Sequence, residues 1–345
     1  MNITTVGIDL AKNVFQVHAV DGRGKVVLRK QLKRSQVASF FVNLPPCLIG
    51  VEACASAHHW GRTLERFGHT VRLMAPQFVK PYVKTNKNDV ADAEAICEAV
   101  NRPNMRFVPI KSIEQQAVLS MHRVRQGFVK ARTAQANQIR GLLGEFGLVI
   151  PKGISHISAR VPALLEDASN ELPLAFRQLI DQLTGHLNSL GERVRDLERE
   201  IIDWHRSSEL SRKLEKIPGI GPLAATALVA SIADAKSFDN GRQVAAWIGL
   251  VPRQSSSGGK SKLLGISKRG DVYLRTLLIH GARSVISAAQ RRSEIKNVWL
   301  ANLLNRRHAN IAAVALANKN ARTVWALLAH SRDFRPDFAT ATTAA

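Results

Sequence analysis

The sequence is poor in the features that mark secreted, membrane and zinc-binding proteins. Its 345 residues include only three cysteines, Cys47, Cys54 and Cys97, which show no metal-ligand spacing and cannot all pair with one another. This usage is typical of a reducing cytosol and excludes a disulfide scaffold or a zinc finger. No apolar run approaches the roughly 18–20 residues that span a bilayer, and the N-terminal stretch lacks a signal-peptide pattern. We therefore expect a cytoplasmic protein that makes no use of a membrane.

Acidic residues are also scarce. The chain has 27 Asp and Glu against 49 Lys and Arg, a formal net charge of +22. Its last hundred residues contain 16 Lys and Arg against 4 Asp and Glu, which is +12 of that excess. A positive field of this size attracts polyanions, of which nucleic acid is the commonest. Because 45% of the residues are hydrophobic, the chain can also bury a core.

The first hundred residues alternate strand and helix signals. Three strand patterns at 4–10, 14–20 and 25–32 predict an antiparallel meander. Further strands at 47–53 and 70–74 alternate with helices at 35–44, 58–67 and 88–100. This βββαβαβα order predicts an α/β fold of the RNase H-like type, which the family resemblance described below narrows to a RuvC-like one. A doubly wound nucleotide-binding fold needs a Gly-rich loop after its first strand, and this chain has none there.

Two long helices are predicted next. The first, 113–146, is rich in basic residues, and Arg125 and Arg132 are candidates to follow a nucleic-acid backbone, unless they belong to a merely solvated face. The second, 176–204, carries an apolar seam at alternating 4-3 spacing over four heptads. Such a seam packs either against a helix of the same chain or against a second protomer. We favour a self-associating coiled-coil arm.

Four carboxylates stand out in this basic protein. Asp9 and Glu52 lie in apolar strands, where an unpaired charge is costly, and Asp89 and Asp92 share one face of a predicted helix. Taken alone, Asp89 could be an acid favoured by the helix dipole, Asp92 a surface acid and Asp9 a partner of Lys12. Together they would repel one another without a cation, and carboxylate oxygens suit magnesium or manganese. The set predicts a two-metal site of the kind used in phosphoryl transfer.

The region after residue 216 is basic and helical. Pro218-Gly219-Ile220-Gly221 precedes a helix and resembles half of a helix-hairpin-helix, whose glycines let backbone N–H groups approach a phosphate. A plain helix-linking turn is the alternative. Further along, Ser255-Ser256-Ser257-Gly258-Gly259 predicts a flexible loop, flanked by Arg253 and Lys260.

Several motifs are together recognisable. Gly7-Ile8-Asp9-Leu10-Ala11-Lys12, Glu52-Ala53-Cys54 and Lys87-Asn88-Asp89-Val90-Ala91-Asp92-Ala93 closely resemble the DEDD domain of the insertion-sequence "one-ten" family of transposases, the group of the pilin-gene invertases. The later runs are similar to that family's serine-bearing domain: Gly249-Leu250-Val251-Pro252-Arg253-Gln254, Ser257-Gly258-Gly259, Ile266-Ser267-Lys268-Arg269-Gly270 and Leu274-Arg275. The resemblance covers residues 3 to 330 in the expected order.

The resemblance implies a reaction and its residues. Asp9, Glu52, Asp89 and Asp92 would hold two Mg²⁺ ions, with Mn²⁺ as a substitute. The family's nucleophilic serine stands immediately before the glycine, which selects Ser257 and leaves Ser256 as the next candidate. The serine would hold a DNA end as a phosphoserine. Further candidates, as phosphate-positioning residues, are Lys268, Arg269 and Arg275, with a solvated basic face as the alternative.

The resemblance also implies partners and an organisation. The partners are donor and target DNA, a structured bridge RNA that guides recombination, and further copies of the chain, as a dimer that pairs into a tetramer. The setting is a prokaryotic cytoplasm, at the nucleoid. We expect a DEDD catalytic domain at 1–110, an arm of long helices at 111–212, a basic transposase domain at 213–335 and a disordered tail at 336–345.

Two rival functions fit part of this pattern. One is a RuvC-like junction nuclease that uses water as its nucleophile and forms no covalent intermediate. The other is a non-enzymatic nucleic-acid-binding protein. Both make the replacement of Ser257 harmless, and the second also makes the four acids dispensable.

Overall fold

The computed structural model describes residues 2–84, 88–291 and 297–335 of the chain. Lys87, which opens the third motif, and the predicted tail at 336–345 lie outside the described residues. The chain divides into two compact units, Met1–Ile113 with Ile232–Ser237 and Glu114–Ser231 with Phe238–Ala345. The finer predicted division, with boundaries after residues 110 and 212, stays a prediction.

The first unit is built on a six-stranded mixed sheet in the order β3-β2-β1-β4-β5-β6. Strands β1 to β3 form the predicted antiparallel meander, β1, β4 and β5 run parallel, and β6 is antiparallel to β5. The strands are β1 Thr5–Leu10, β2 Val14–Val20, β3 Val26–Lys33, β4 Leu48–Glu52, β5 Thr70–Met74 and β6 Phe107–Val108. The helices are α1 Val37–Val42, α2 Ala57–Arg66, α3 Pro76–Val79 and α4 Asp89–Val100, with 3₁₀ turns at Arg34–Gln36 and Lys80–Tyr82.

Helices cover both faces of the sheet's centre, which explains its continuous apolar strands. Val6 and Ile8 of β1 belong to a core that includes Phe41 of α1 and Leu64 of α2. Gly7, between them, lies against α4 on the opposite face. The mixed α/β architecture predicted for this region is confirmed; the short strand β6 was not predicted from the sequence.

The second unit is mainly helical. Its helices are α5 Ile113–Gly144, α6 Ile154–Glu166, α7 Leu174–Ser207, α8 Glu209–Glu215, α9 Pro222–Ile232, α10 Gly241–Ile248, α11 Val272–Arg291, α12 Val298–Arg306 and α13 Ala309–His330. Between α10 and α11 the chain forms an antiparallel hairpin of β7 Pro252–Ser257 and β8 Lys260–Ile266. The two long helices lie close to their predicted positions.

Helices α5 and α7 form an antiparallel pair within the chain. Contacts between them run in opposite directions along the two helices, so a later residue of α5 meets an earlier residue of α7. The pairs are Glu114 with Trp204, Arg125 with Glu198 and Gln135 with His186, and Phe146, just after α5, contacts Phe176.

The apolar seam of α7 is buried inside this pair and against α6. Ile180 and Leu187 of α7 share a core with Ile139 of α5 and Ile157 of α6. Leu190 is also buried, at 6% exposure. The first half of the seam, which we expected to join protomers, therefore packs within one chain against apolar residues of α5 and α6, and the association of protomers stays a prediction.

Candidate functional site

Two glycines bring α4 close to the centre of the first unit's sheet. Gly7 in β1 and Gly50 in β4 are register partners in the parallel ladder. A Cβ added to Gly7 would lie 2.3 Å from the carbonyl oxygen of Ala93, and one added to Gly50 would lie 2.8 Å from Cβ of Val100. Any side chain at these positions would overlap α4, so only glycine permits this approach.

A carboxylate stands two residues beyond each glycine. Because side chains alternate along a strand, Asp9 shares the face of Gly7, and Glu52 shares the face of Gly50. The parallel register of β1 and β4 makes the two acids neighbours at the carboxyl ends of their strands. Both residues are half-buried. The pattern Gly-x-acid on two paired strands is a sequence signal that our reading of the motifs did not use.

Helix α4 begins at the same edge of the sheet. Asn88 caps it, since its side chain accepts a hydrogen bond from the backbone N–H of Val90 at 2.8 Å. Asp89, which is exposed, and Asp92, which is half-buried, lie in the first turn. Negative charge is favourable at a helix N-terminus, which offsets part of the cost of gathering acids here.

Three carboxylates meet at this edge. One oxygen from each of Asp9, Asp89 and Asp92 lies within 4.8 Å of the other two. Like charges this close repel unless a cation lies between them, and their oxygens are the ligands that hard divalent cations prefer. Within the described part of the chain, the group that meets this closely contains three of the four predicted acids. Glu52 occupies the adjacent strand position.

The negative charges of two of these acids also affect the neighbouring thiol of Cys54. Cys54 follows β4, with its Sγ 4.0 Å from the carbonyl oxygen of Leu10. Its pKa is raised above the ordinary thiol value, first by desolvation and then by the charges of Glu52 and Asp9. The thiol is therefore protonated at neutral pH and is a poor nucleophile.

The triple serine lies on a β-hairpin, whereas the sequence predicted a flexible loop. Gly258 and Gly259 both have positive φ, 55° and 76°, and form the two-residue turn between β7 and β8. Such a turn matches the twist of the paired strands, which is why the segment is ordered as a hairpin. Ser257 is the last residue of β7 and is exposed, opposite Lys260. The Ser256 hydroxyl accepts a hydrogen bond from Nε2 of Gln254 at 2.9 Å.

Some of the predicted nucleic-acid contacts lie on the surface. Arg253 and Lys260 extend from the hairpin, and Lys268 and Arg269 follow it; all four are exposed. They belong to one short stretch that also carries Ser257. Exposed cations around a hairpin tip are available to a phosphate backbone.

Three other predicted contacts are placed differently. Arg275 is 8% exposed, and its guanidinium donates to the carbonyl oxygens of Ile248 and Arg269. Arg125 pairs with Glu198 across the helix pair, and Arg132 is half-buried. Arg275 and Arg125 therefore contribute to the packing of the second unit, and their contact with phosphate stays a prediction.

The Pro-Gly-Ile-Gly turn packs against a glycine of α11. Gly219 has φ of 89°, and a Cβ there would lie 2.9 Å from the carbonyl oxygen of Gly281. This close contact is a structural reason for Gly219. Gly221 is exposed at the start of α9, where its carbonyl accepts from the N–H of Ala225. Of the two predicted phosphate contacts, Gly221 has the accessible position.

A buried hydrogen-bond network joins four helices of the second unit, and sequence analysis missed it. His122 of α5 lies between Thr226 of α9, at 3.0 Å, and the hydroxyl of Tyr273 of α11, at 2.9 Å. Arg125 donates to that hydroxyl and pairs with Glu198 of α7. The members come from four separate segments, so no local spacing could have revealed them.

Models of known protein families match segments near both ends of the chain. A family model described as Transposase matches residues 6–147, and one described as Transposase IS116/IS110/IS902 family matches residues 211–297. None of the helices among the described residues has the length and apolar character needed to cross a membrane.

Full-length relatives are also similar. A probable family 20 transposase of Pseudomonas aeruginosa is 54% identical, over 97% of this chain and 100% of its own length. The transposase for insertion sequence element IS1111A of Coxiella burnetii is 43% identical over 97% of this chain and 92% of its own. The transposase for IS1328 of Yersinia enterocolitica is 43% identical over 94% and 96%.

Proposed function

The chain belongs to the IS116/IS110/IS902 family of insertion-sequence transposases, and from this we propose that it cuts and rejoins DNA through a metal-assisted phosphoserine intermediate. The carboxylates of the first unit would hold the metal, and Ser257 of the second unit would be the nucleophile. The observation that carries the proposal is the convergence of Asp9, Asp89 and Asp92 within 4.8 Å in a protein of net charge +22.

The carboxylates fit a divalent metal centre. Three oxygen donors already meet, and Glu52 on the adjacent strand is the fourth acid that we assign to the set. We assign two Mg²⁺ ions to it, with Mn²⁺ as a substitute. Bound there, the metal would stabilise negative charge on the attacking and leaving oxygens of a phosphate. The close approach of α4 to Gly7 and Gly50 brings Asp89 and Asp92 near Asp9.

Ser257 would carry out the transfer in two balanced steps. First, the bond from Oγ to phosphorus forms as a phosphorus–oxygen bond of the DNA backbone breaks, and the proton lost by the serine is matched by one gained by the leaving oxygen. Next, the hydroxyl of another DNA end attacks the phosphoserine, and Oγ regains a proton. Each step exchanges one phosphodiester for another, so no external energy source is needed.

The remaining assignments follow from family membership and from charge. We propose a RuvC-like fold for the DEDD domain at 1–110, the helical arm at 111–212 and the serine-bearing domain at 213–335, acting at the nucleoid. The partners are donor and target DNA, a structured bridge RNA, and further protomers in a dimer or tetramer. Exposed Arg253, Lys260, Lys268 and Arg269 support contact with phosphates near the serine.

Trapping of a covalent adduct tests the proposal. The chain is incubated with a nicked DNA substrate and Mg²⁺, and denaturing electrophoresis reports protein bound to a DNA end. Ser257→Ala should lose the adduct and all strand exchange but still bind DNA. Ser261→Ala is the matched control, because Ser261 is an exposed serine on the opposite strand of the hairpin.

Each outcome discriminates among the candidate functions. Asp92→Asn should also lose the adduct, because the metal-binding group is incomplete. If Ser256→Ala rather than Ser257→Ala loses it, the nucleophile is Ser256. Cleavage that every serine variant retains, with no adduct, would establish water as the nucleophile and the junction nuclease as the function.

A further inference from the structure

A cationic cleft lies on the first unit, at the end of the strands where the carboxylates also lie. Its volume is about 710 Å³, and it is lined by Asn13, Val14, Lys33, Arg34, Ser35, His59 and Trp60. Two of its walls continue directly from the strands that carry Asp9 and Glu52. Asn13 lies in the turn that follows β1, and His59 and Trp60 lie in α2, which follows β4. The cleft and the carboxylates therefore lie at the same edge of the sheet, the cleft on the face covered by α1 and α2 and the carboxylates on the face covered by α4.

Arg34 is held in a defined orientation at this cleft. Its guanidinium lies over the rings of Phe15 and Trp60, at 5.8 and 5.4 Å from their centroids. One nitrogen, Nη1, donates to the carbonyl oxygen of Lys12 at 3.4 Å, and the backbone N–H donates to Asn13 at 2.8 Å. Arg34 is exposed, and a stacked, exposed guanidinium is well suited to bind a phosphate through two hydrogen bonds.

The two cations of the cleft, Lys33 and Arg34, form no salt bridge within the described part of the chain, since neither has a carboxylate within 4.0 Å. His59 has a pKa below its ordinary value, first through desolvation and then through Arg34 and the arginines of α2. A cation-lined surface of this kind costs folding free energy through self-repulsion, which an anionic ligand would relieve.

We propose that this cleft binds the sugar–phosphate backbone of the DNA strand that enters the carboxylate group. The proposal rests on the proposed function, since it takes the carboxylates as the site of cleavage. Arg34 and Lys33 would each contact one phosphate beyond the scissile one, and Ser35 and Asn13 would donate further hydrogen bonds. DNA, rather than the guide RNA, is the strand that must reach the cutting site. The contacts are to backbone, so the cleft contributes register and not sequence preference.

A matched pair of double variants tests the proposal by binding alone. Lys33→Gln/Arg34→Gln removes two charges from the cleft. Arg23→Gln/Lys25→Gln removes the same two charges from the exposed turn between β2 and β3, at the opposite edge of the same sheet. Affinity for a 30-base-pair DNA duplex is measured with the full chain at several KCl concentrations, in EDTA.

The cleft variant should lower the slope of log affinity against log salt by about 1.8, because each lost phosphate contact removes about 0.9. The control should leave the slope unchanged. Equal slopes for the two variants would overturn the proposal. If the cleft variant loses affinity for an RNA duplex of the same sequence but not for the DNA duplex, the cleft binds RNA, and the proposal is overturned.

Crosslinking covers the case in which the cleft variant does not fold. A photoreactive residue in place of exposed Asn13 should crosslink to the DNA duplex, and the same residue in place of Arg23 should not. Crosslinking from Arg23 alone would contradict the proposal. These measurements need no divalent metal and no cleavage. They therefore fail independently of the adduct assay, which alone decides the proposed function.

Discussion

His122 is 1% exposed between Thr226 and Tyr273, and these neighbours determine which of its nitrogens carries the proton. The Thr226 hydroxyl donates to the carbonyl oxygen of Pro222 at 2.8 Å, so it can only accept from Nε2–H of the imidazole. Nδ1 is then the acceptor for the Tyr273 hydroxyl. A second proton on the ring would face a donor, and burial lowers the pKa of His122 to about 4.

At the residue scale, the lowered pKa of His122 predicts that the free energy of unfolding decreases as the pH falls. The unfolded chain takes up a proton at its ordinary pKa of 6.5, whereas the folded chain does so only near 4. Stabilisation by neutral His122 is thus complete above about pH 6.5 and is lost as the pH falls to 4, a change of about 3 kcal/mol. Urea unfolding at pH 7 and pH 4 measures the loss of unfolding free energy between the two pH values. That loss should be about 3 kcal/mol smaller in His122→Gln than in the wild type. Exposed His280→Gln should keep the wild-type pH dependence.

At the element scale, the approach of α4 to the sheet depends on Gly7. Gly7→Ala would put a methyl group 2.3 Å from the Ala93 carbonyl, so α4 must move away and carry Asp89 and Asp92 with it. We expect a loss of about 1–3 kcal/mol in the free energy of unfolding and a loss of DNA cleavage. Gly127→Ala on α5 is the control, since its Cβ meets open space and should stabilise the helix by about 0.5–1 kcal/mol. Unchanged cleavage by Gly7→Ala would show that α4 does not position the acids.

The helix pair α5–α7 supports a second prediction at this scale. Leu187→Asp should destabilise the second unit by several kcal/mol, because it places a charge in the core shared with α5 and α6. Leu179→Asp makes the same substitution at a 43% exposed position of α7 and should fold normally. Circular dichroism melts compare the two. A Leu187→Asp protein that melts like wild type but has a smaller mass in light scattering would restore the seam as an interface between protomers.

At the scale of the whole molecule, net charge governs binding. With +22 overall and +12 in the last hundred residues, six or more phosphate contacts are expected. The logarithm of DNA affinity should then fall with the logarithm of salt concentration at a slope of about −5 or steeper. Titrations between 50 and 300 mM KCl, roughly the range over which such binding is lost, measure the slope. A nearly flat dependence would mean that this charge does not face nucleic acid.

Much of the architecture was determined by the sequence alone, because strand and helix periodicity is encoded by residues close together in the chain. The meander, the order of the first unit and both long helices were predicted from such local patterns. The three motifs likewise identified Asp9, Glu52, Asp89 and Asp92 as the acids to examine. The turn at Gly258-Gly259 is also encoded locally, by two adjacent glycines. The serines before it favoured a flexible loop, so the pairing of β7 with β8 was not predicted.

Only the tertiary structure decided which groups meet. Asp89 and Asp92 reach Asp9 because Gly7 and Gly50 let α4 lie directly on two strands that are distant in sequence. The partner of the α7 seam could not be chosen from heptads, since the same apolar spacing suits an intramolecular helix or a second protomer. Arg275 is buried, whereas Arg269 is exposed and available to a ligand. The local sequence does not reveal this difference, because burial depends on neighbours from distant segments of the chain. Local spacing states what a residue is able to do, and long-range packing determines what it contacts.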